Sequence, residues 1–562
     1  MSARDHLQQA ADLVSRLRDQ VRARDPMAME TLDLLRAETR AARADVADPA
    51  WRLGTHAPAI GDDLLAVQSV ADALDDLSRN GVTPLIETAS RVDLSTLAPR
   101  NGRFDLAPIQ LSAARLSAAD AVVRRVRDRV GAIRVEGLVA QVRSAVTGLQ
   151  QDLRRASETT SIAARAATLL PPMLGSAGPR NYLVLFQNLA EVRATGGMPG
   201  AYVVIRADRG RVAIVDQGMA ASDLRSFKKP VLPLRAADRA LYTDKLGRFP
   251  ANVNVTPDFP TTAALAREMY RRRSGNAVDG VFSTDPVALS YVLRALGPVP
   301  VPGGEPLTGD SAVPVLLSRI YASDVSLERQ DRYFTAAARA TFRALLERPV
   351  DPAALMGALV QAAQERRMLM WSTRAVENQL VAGTALAGVM PASDGADPTV
   401  GVFLNDGSGA KLGYYLTHAA EVAVQPVCRT DGRREITLRV VLGSTAPKSG
   451  LSANVLGMGL AGDPYTIRTN VSVYSPTGGA IAGMRLDGAR QPFGAGRDRR
   501  RAVGIVTVDL KPGTRRTLDV TMLTGVPAGG YGETVTPRLW TTPGLTPWDL
   551  KIRSGSGCPR TR

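Results

Sequence analysis

Between Arg180 and Tyr202 the chain reads RNYLVLFQNLAEVRATGGMPGAY. An apolar run, Tyr182–Phe186, leads into Gln187, Asn188, Glu191, Arg193 and Thr195, then the pair Gly196 and Gly197. These residue types suit recognition of an anion. The Arg193 guanidinium can hold a phosphate or carboxylate through two parallel hydrogen bonds. Glu191 and Asn188 offer oxygen ligands of the kind Mg²⁺ takes. Gly196 and Gly197 let backbone N–H groups approach an anion closely. Each residue also has a plainer use: Arg193 as an ion-pair partner of Glu191 or Asp258, Glu191 as a stabilising carboxylate, the glycines as a tight turn. Further along, VNVTPDFP adds Asn254 and Asp258 as binding candidates, with Asp258 equally placed to cap the helix that follows.

Such a cluster works only if the fold aims it. A strand ending in a polar, glycine-containing loop is where layered α/β sheets place ligands. The expectation is therefore a strand over Tyr182–Phe186, a polar loop, and a second strand starting at Ala201. Upstream, residues 1–170 read as helices almost throughout, with Leu7, Ala11, Leu13, Val14, Leu17 and Val21 at helical spacing. Alternating charges on the outer faces fit a helical bundle or stalk. Pro171, Pro172, Gly175 and Gly178 punctuate the end of that region. Residues 171–420 then alternate strand and helix patterns, including a helix over Pro352–Met370, as a layered α/β domain does. From Glu421 to the end, short alternating strands separated by Gly/Pro turns predict a β-sandwich of immunoglobulin-like type. The fold class expected is multidomain α+β.

The bulk numbers narrow the function. The chain has 562 residues, room for about three domains at roughly 150 residues each. Hydrophobic content of 45% marks a folded chain. Three histidines, His6, His56 and His418, lie too far apart in sequence to suggest a multi-histidine metal site. The net charge is +16, and from Arg429 onward there are 20 Lys/Arg against 9 Asp/Glu. Most of the excess thus sits in the last quarter, which suits either a plain Arg-rich surface or attraction to a polyanion. No helix-turn-helix, zinc finger or RNP motif accompanies it, so nucleic acid is not the expected partner. No GxSxG, Walker A, HExxH or CxxC motif is present. Cys428 and Cys558 are an isolated pair, suited to one disulfide or two buried thiols. Their places near the start and end of the β-region favour a disulfide, hence an oxidising, extracytoplasmic setting. No stretch of about 18 apolar residues occurs, and Met1–Gln20 is charged, so an export signal or anchor is expected upstream of this sequence.

Arg180–Gly197, with its NLAEVRATGG core, resembles the signature of the bacterial family of domain of unknown function 4012. NVTPDFP from Asn254, the block from Val278 to Val301, the Trp51/Pro58/Gly61 pattern and the distal β-region are similar to the same family, so the resemblance covers nearly the whole chain. It implies a cell-envelope protein of Gram-positive bacteria with a membrane anchor. The central region also distantly resembles the LytR-CpsA-Psr domain, whose members transfer glycopolymers from polyprenyl-pyrophosphate lipids to peptidoglycan. That resemblance implies an anionic or lipid-linked glycan as partner and a phosphotransferase or pyrophosphatase activity. Arg193 and Glu191 would be catalytic, Arg193, Thr195, Gly196, Gly197, Asn254 and Asp258 would bind substrate, and Asn188 with Glu191 would hold Mg²⁺. The alternative is a non-catalytic envelope scaffold or anionic-glycopolymer-binding protein. Where those enzymes carry Pro-Arg-Asp after the third strand, this chain has GMAASD ending at Asp223, with its next arginine at Arg225.

Overall fold

The computed structural model describes residues 2–23, 25–58, 60–91, 99, 102–322, 326–527, 530–531 and 534–556. They form a mixed α+β structure with several sheets. Two compact units emerge: Met1–Pro179 with Ala207–Val212, and Arg180–Arg206 with Ala213–Arg562.

The first unit is helical, its long helices being Ala3–Ala23, Ala28–Val46, Gly61–Asp76, Ala107–Gly131 and Ala140–Met173. Their apolar stripes meet in small cores, one of which joins Ala10 and Leu17 to Ala28, Leu32, Leu35 and Ile86. The buried face of the first helix runs through Ala10 rather than Ala11, and Val14 is left 45% exposed. Buried Asp75 is neutralised by Arg43 and Arg79, at 2.9 and 2.8 Å, as a carboxylate removed from water requires. The last helix runs on through Pro171 and Pro172 to Met173, so these prolines fall within its final turn. No helix among the described residues is long and apolar enough to cross a membrane.

The second unit opens with a mixed five-stranded sheet. Its strands are β1 (Arg180–Arg193), β2 (Gly196–Asp208), β3 (Arg211–Met219), β4 (Gly280–Thr284) and β5 (Leu369–Ser372), in the order β3-β2-β1-β4-β5. β1 runs parallel to β4, and β5 antiparallel to it. Alternate residues of β1 face opposite ways. Leu183 and Leu185 pack with Phe259, Ala263 and Met269 of the helix Phe259–Ser274. Phe186 and Asn188 line a space with Leu289, of the helix Pro286–Leu296, and Phe334, of the helix Leu327–Glu347. Two expectations change here. The polar stretch from Gln187 to Arg193 is not a loop but the second half of β1, because its side chains find partners within the fold. The helix over 352–370 stops at Gln364, and Leu369–Ser372 turns back as an edge strand.

The remaining strands are β6 (Thr399–Asp406), β7 (Leu416–Cys428), β8 (Arg434–Ser444), β9 (Ile467–Tyr474), β10 (Ala480–Leu486), β11 (Ala489–Arg490), β12 (Gly494–Asp498), β13 (Arg501–Leu510), β14 (Arg515–Leu523), β15 (Thr534–Val535), β16 (Arg538–Thr541), β17 (Asp549–Arg553) and β18 (Gly555–Ser556). One sheet has the order β11-β10-β14-β8-β7-β17, another β12-β13-β9-β6-β16, and β15 pairs with β18. Inward residues of the two large sheets share one core, with Val422, Leu438, Val440 and Val520 from the first and Val402, Val471, Val506 and Val508 from the second. This two-sheet region draws in β6 and the start of β7, both upstream of Glu421. β6 is buried along most of its length because both its faces are covered: Val400, Val402 and Leu404 lie in this core, and Phe403 packs with Ala194, Tyr474 and Val503. The proposed disulfide lies outside the described residues at Cys558.

Candidate functional site

The polar half of β1 resolves into three separate clusters. The first sits under the β1–β2 turn. Gln187 Oε1 accepts hydrogen bonds from the Gly197 backbone N–H at 2.9 Å and from Thr195 Oγ1 at 3.2 Å. Gln187 Nε2 donates to Ser283 Oγ on β4 at 2.9 Å. Asn254 Nδ2 donates to Thr195 Oγ1 at 2.9 Å and to the Gly197 carbonyl at 2.7 Å. Thr195 and Asn254 are buried. Gly196 has φ +135°, in the region that favours glycine, and a Cβ on Gly197 would collide with the Asn188 carbonyl. Close backbone approach therefore accounts for both glycines, and the Gly197 N–H points at Gln187 rather than at an open space.

The second cluster surrounds Glu191. Its carboxylate lies 3.0 Å from Lys411 Nζ, and Lys411 in turn sits 5.0 Å above the Tyr321 ring. Asn188 turns its amide N–H₂ toward Glu191 Oε1, at 3.5 Å, and toward Tyr321 Oη, at 3.2 Å. Asn188 Oδ1, the side-chain amide oxygen, accepts from the Ala190 N–H at 3.1 Å. Burial, reinforced by the Glu191 charge, pushes the Tyr321 hydroxyl pKa far upward. This set does not fit Mg²⁺: the one carboxylate is matched by an ammonium, and the amide presents a donor where an oxygen ligand is needed. No group of three or more acidic, histidine or cysteine side chains suited to a metal occurs among the described residues.

The third cluster is Arg193. It is 8% exposed. Its Nε donates to the Ala251 carbonyl at 3.0 Å and its Nη1 to the Val192 carbonyl at 2.9 Å, with a longer contact to the Asp406 carbonyl at 3.5 Å. Burial lowers its pKa, and the Asp406 and Glu191 charges offset part of that shift. Among the described residues Arg193 has no carboxylate partner at ion-pair distance. It ties β1 to the loop before the helix Phe259–Ser274 and to the end of β6. Asn188, Glu191 and Arg193 thus do not converge on a common ligand.

Asp258 lies elsewhere. It caps the helix Phe259–Ser274, with Oδ2 accepting from the Thr261 N–H at 3.2 Å and from Thr261 Oγ1 at 2.6 Å. Its Oδ1 accepts from Arg499 Nη2 at 2.8 Å. Asp258 and Arg499 share a wall of a cavity of about 140 Å³, lined also by Met390, Tyr474, Thr477, Asp498, Arg500 and Arg501. Arg501 is buried, held by Asp394 at 2.5 Å and by the Thr399 carbonyl at 2.7 Å. Arg497 and Arg500 are exposed and have no acidic partner among the described residues. The charge surplus after Arg429 was visible in the sequence. The tight run Arg497-Asp-Arg-Arg-Arg501 within it was the readable sign of this site.

A second, mostly apolar cavity of about 90 Å³ lies between β1, β2 and the helices on that face, lined by Phe186, Asn188, Leu289, Leu316, Leu317 and Phe334.

No curated protein matches this chain. The Trp51/Pro58/Gly61 pattern and the distal β-region fall outside the segment that matches a family model. That segment, residues 177–321, holds β1 to β4 and the Asn254–Asp258 loop, and its match supports the family described as "Protein of unknown function (DUF4012)".

Proposed function

We propose that this chain is a non-catalytic cell-envelope protein that binds an anionic glycopolymer. In this reading the central sheet is a divergent LytR-CpsA-Psr-like domain kept as a scaffold. The two large sheets form an immunoglobulin-like sandwich that carries the binding face, outside the cytoplasm and anchored by an upstream segment. The observation that carries the reading is the contrast between the two sets of arginines. Arg193 spends its donors on backbone carbonyls, whereas Arg497 and Arg500 stand exposed and without acidic partners among the described residues, Arg500 at the edge of a cavity. Exposed cations close together attract a polyanion, and the attraction weakens with salt.

Fluorescence anisotropy with labelled dextran sulfate and neutral dextran tests this. Dextran sulfate binds, neutral dextran does not, and Arg497→Ala/Arg500→Ala weakens binding roughly tenfold at low salt, as two exposed ion pairs of up to ~1 kcal/mol each allow. Binding that ignores these substitutions, or is equal for neutral dextran, refutes the reading.

A second reading, that the glycan arrives on a polyprenyl-pyrophosphate carrier and is transferred, is supported by the apolar cavity beside Asn188. Its test is protection of a short-chain polyprenyl phosphate from detergent extraction by the wild-type chain and loss of that protection in Leu316→Arg.

A further inference from the structure

Three connections meet at one end of the two large sheets: 407–415, 445–466 and 511–514. β6 and β13 stop there at Asp406 and Leu510, and β9 starts there at Ile467, opposite Leu510. The Gly407 N–H donates to the Arg468 carbonyl at 2.8 Å and the Ser444 N–H to the Thr514 carbonyl at 3.0 Å, which ties the ends of β6 and β8 into the same place. The middle connection contains LSANVLGMGLAG, residues 451–462. Its first half is anchored: Val455 lies in the sandwich core, with Leu451 and Leu456 packed against it. Its second half holds apolar side chains outward, with Met458 72% exposed and Leu460 56%. The backbone beneath them is pinned. The Met458 N–H donates to the Gly409 carbonyl and the Leu460 N–H to the Ser408 carbonyl, both at 3.1 Å, and Arg468 Nη1 donates to the Leu460 carbonyl at 2.8 Å. Gly457, at φ +59°, admits the turn into this segment, and a Cβ there would collide with the Gly409 carbonyl. Met458 and Leu460 both fold over Gly409, where a Cβ would come within 2.7 and 3.3 Å of them. Lone exposed apolar side chains need no explanation, but two on one face of a pinned backbone form a patch.

The charges around that patch say what it meets. Lys448, Lys511 and Arg515 are exposed at this end and have no acidic partner among the described residues. The acids nearby are engaged. Asp509 pairs with Arg468 at 2.7 Å and Glu191 with Lys411 at 3.0 Å. Asp463 accepts from the Tyr465 N–H and Thr466 Oγ1, and Asp406 from the Ser408 and Gly409 N–H groups. Apolar side chains ringed by unpaired cations match an anionic lipid surface: the apolar tip enters the acyl boundary while the cations meet lipid phosphates.

We propose that this end of the sandwich docks on an anionic lipid bilayer, with Met458 and Leu460 inserted and Lys448, Lys511 and Arg515 on headgroup phosphates. β13 spans the ten residues from Arg501 to Leu510, about 30 Å at roughly 3.3 Å per residue. Docking here therefore leaves the Arg497–Arg500 turn at the opposite end of the sandwich, directed away from the lipid. The contact does not depend on the anionic-glycopolymer reading and adds a second surface to it.

Cosedimentation of the full chain with sucrose-loaded vesicles tests this, using phosphatidylcholine with and without phosphatidylglycerol. The chain binds the mixed vesicles and not pure phosphatidylcholine. Met458→Ser/Leu460→Ser weakens that binding about tenfold, as withdrawing two apolar side chains from the bilayer implies. Lys448→Gln/Lys511→Gln weakens it about thirtyfold at low salt. In Met458→Trp, brominated phosphatidylcholine in the mixed vesicles quenches the added emission. No binding to the mixed vesicles, binding that either double variant leaves intact, or an unquenched Met458→Trp overturns the proposal. Vesicle binding that is lost in Arg497→Ala/Arg500→Ala and kept in the loop variants gives the lipid contact to the arginine turn, which overturns it too. Met458→Ser/Leu460→Ser leaves dextran sulfate anisotropy at the wild-type value, so the lipid contact and the glycopolymer reading fail separately.

Discussion

Replacing Arg193 separates a structural tie from a ligand-binding cation. In the folded chain two of its hydrogen bonds are short, 3.0 Å to Ala251 and 2.9 Å to Val192. A bond from a charged donor contributes roughly 1.5–3 kcal/mol. Removing the side chain also releases a cation that burial disfavours, which returns part of that sum. Arg193→Met, which keeps the stem volume, should therefore destabilise the unit by about 2–4 kcal/mol. For a unit of this size that is a fall in Tm of roughly 3–8 °C. Thermal unfolding followed by near-UV circular dichroism measures the loss, and dextran sulfate anisotropy at 20 °C, where the variant remains folded, measures binding. The expected outcome is a lower Tm with unchanged affinity, the reverse of Arg500→Ala, which should lower affinity and leave Tm alone. An Arg193→Met protein with wild-type Tm and no polymer binding would refute the assignment and return Arg193 to a ligand site.

Glu191→Ala should cost about 1–3 kcal/mol because it strands the Lys411 ammonium over Tyr321. Adding Lys411→Met should recover part of the loss, and strictly additive values in a double-mutant cycle would exclude coupling. His418 is stacked on Trp548 with ring centroids 4.4 Å apart. Burial lowers its pKa to about 4, with the Arg367 charge adding to the shift, and Arg367 is itself paired with Asp285 and Glu365. Between the unfolded value near ~6.5 and about 4 the unfolded chain binds a proton that the folded chain does not. Stability is therefore intact above that window and falls as pH drops through it, by up to about 3 kcal/mol. Urea midpoints at pH 7 and 4.5 should differ less for His418→Phe than for wild type, and equal differences would remove His418 as the cause. Gly197→Ala should reduce soluble yield or lower Tm by several degrees, because the added Cβ meets the Asn188 carbonyl across the hairpin. A wild-type Tm would show that the turn has room.

Local patterns reported much of the fold. Alternation marked the strands after Glu421, because a strand exposes alternate faces whatever lies around it, and the structure gathers Leu438, Val440, Val506, Val508, Leu518 and Val520 of β8, β13 and β14 in a common core. Helical spacing marked residues 1–170 as helical almost throughout, and the first unit is built of helices. The strand Leu369–Ser372 was hidden because a four-residue apolar run joined to a helix carries no period of its own. The short strands β10, β11 and β12 escaped for a related reason: their form comes from pairing with β14 and β13 rather than from their own composition.

The site shows the division most clearly. Residue types alone marked a strand, a set of polar groups and a glycine pair within Arg180–Tyr202, and a positive charge that gathers toward the C-terminus. Only the tertiary structure decided which polar groups are spent inside the protein. Arg193 meets carbonyls from the loop at Ala251 and from β6, and Glu191 meets Lys411, partners far away in sequence. Asp258 meets Arg499 across 241 positions of chain. A side chain's chemistry is local, but whether its hydrogen bonds are already taken depends on what packing brings within 3 Å. No spacing rule in a single sequence reports that.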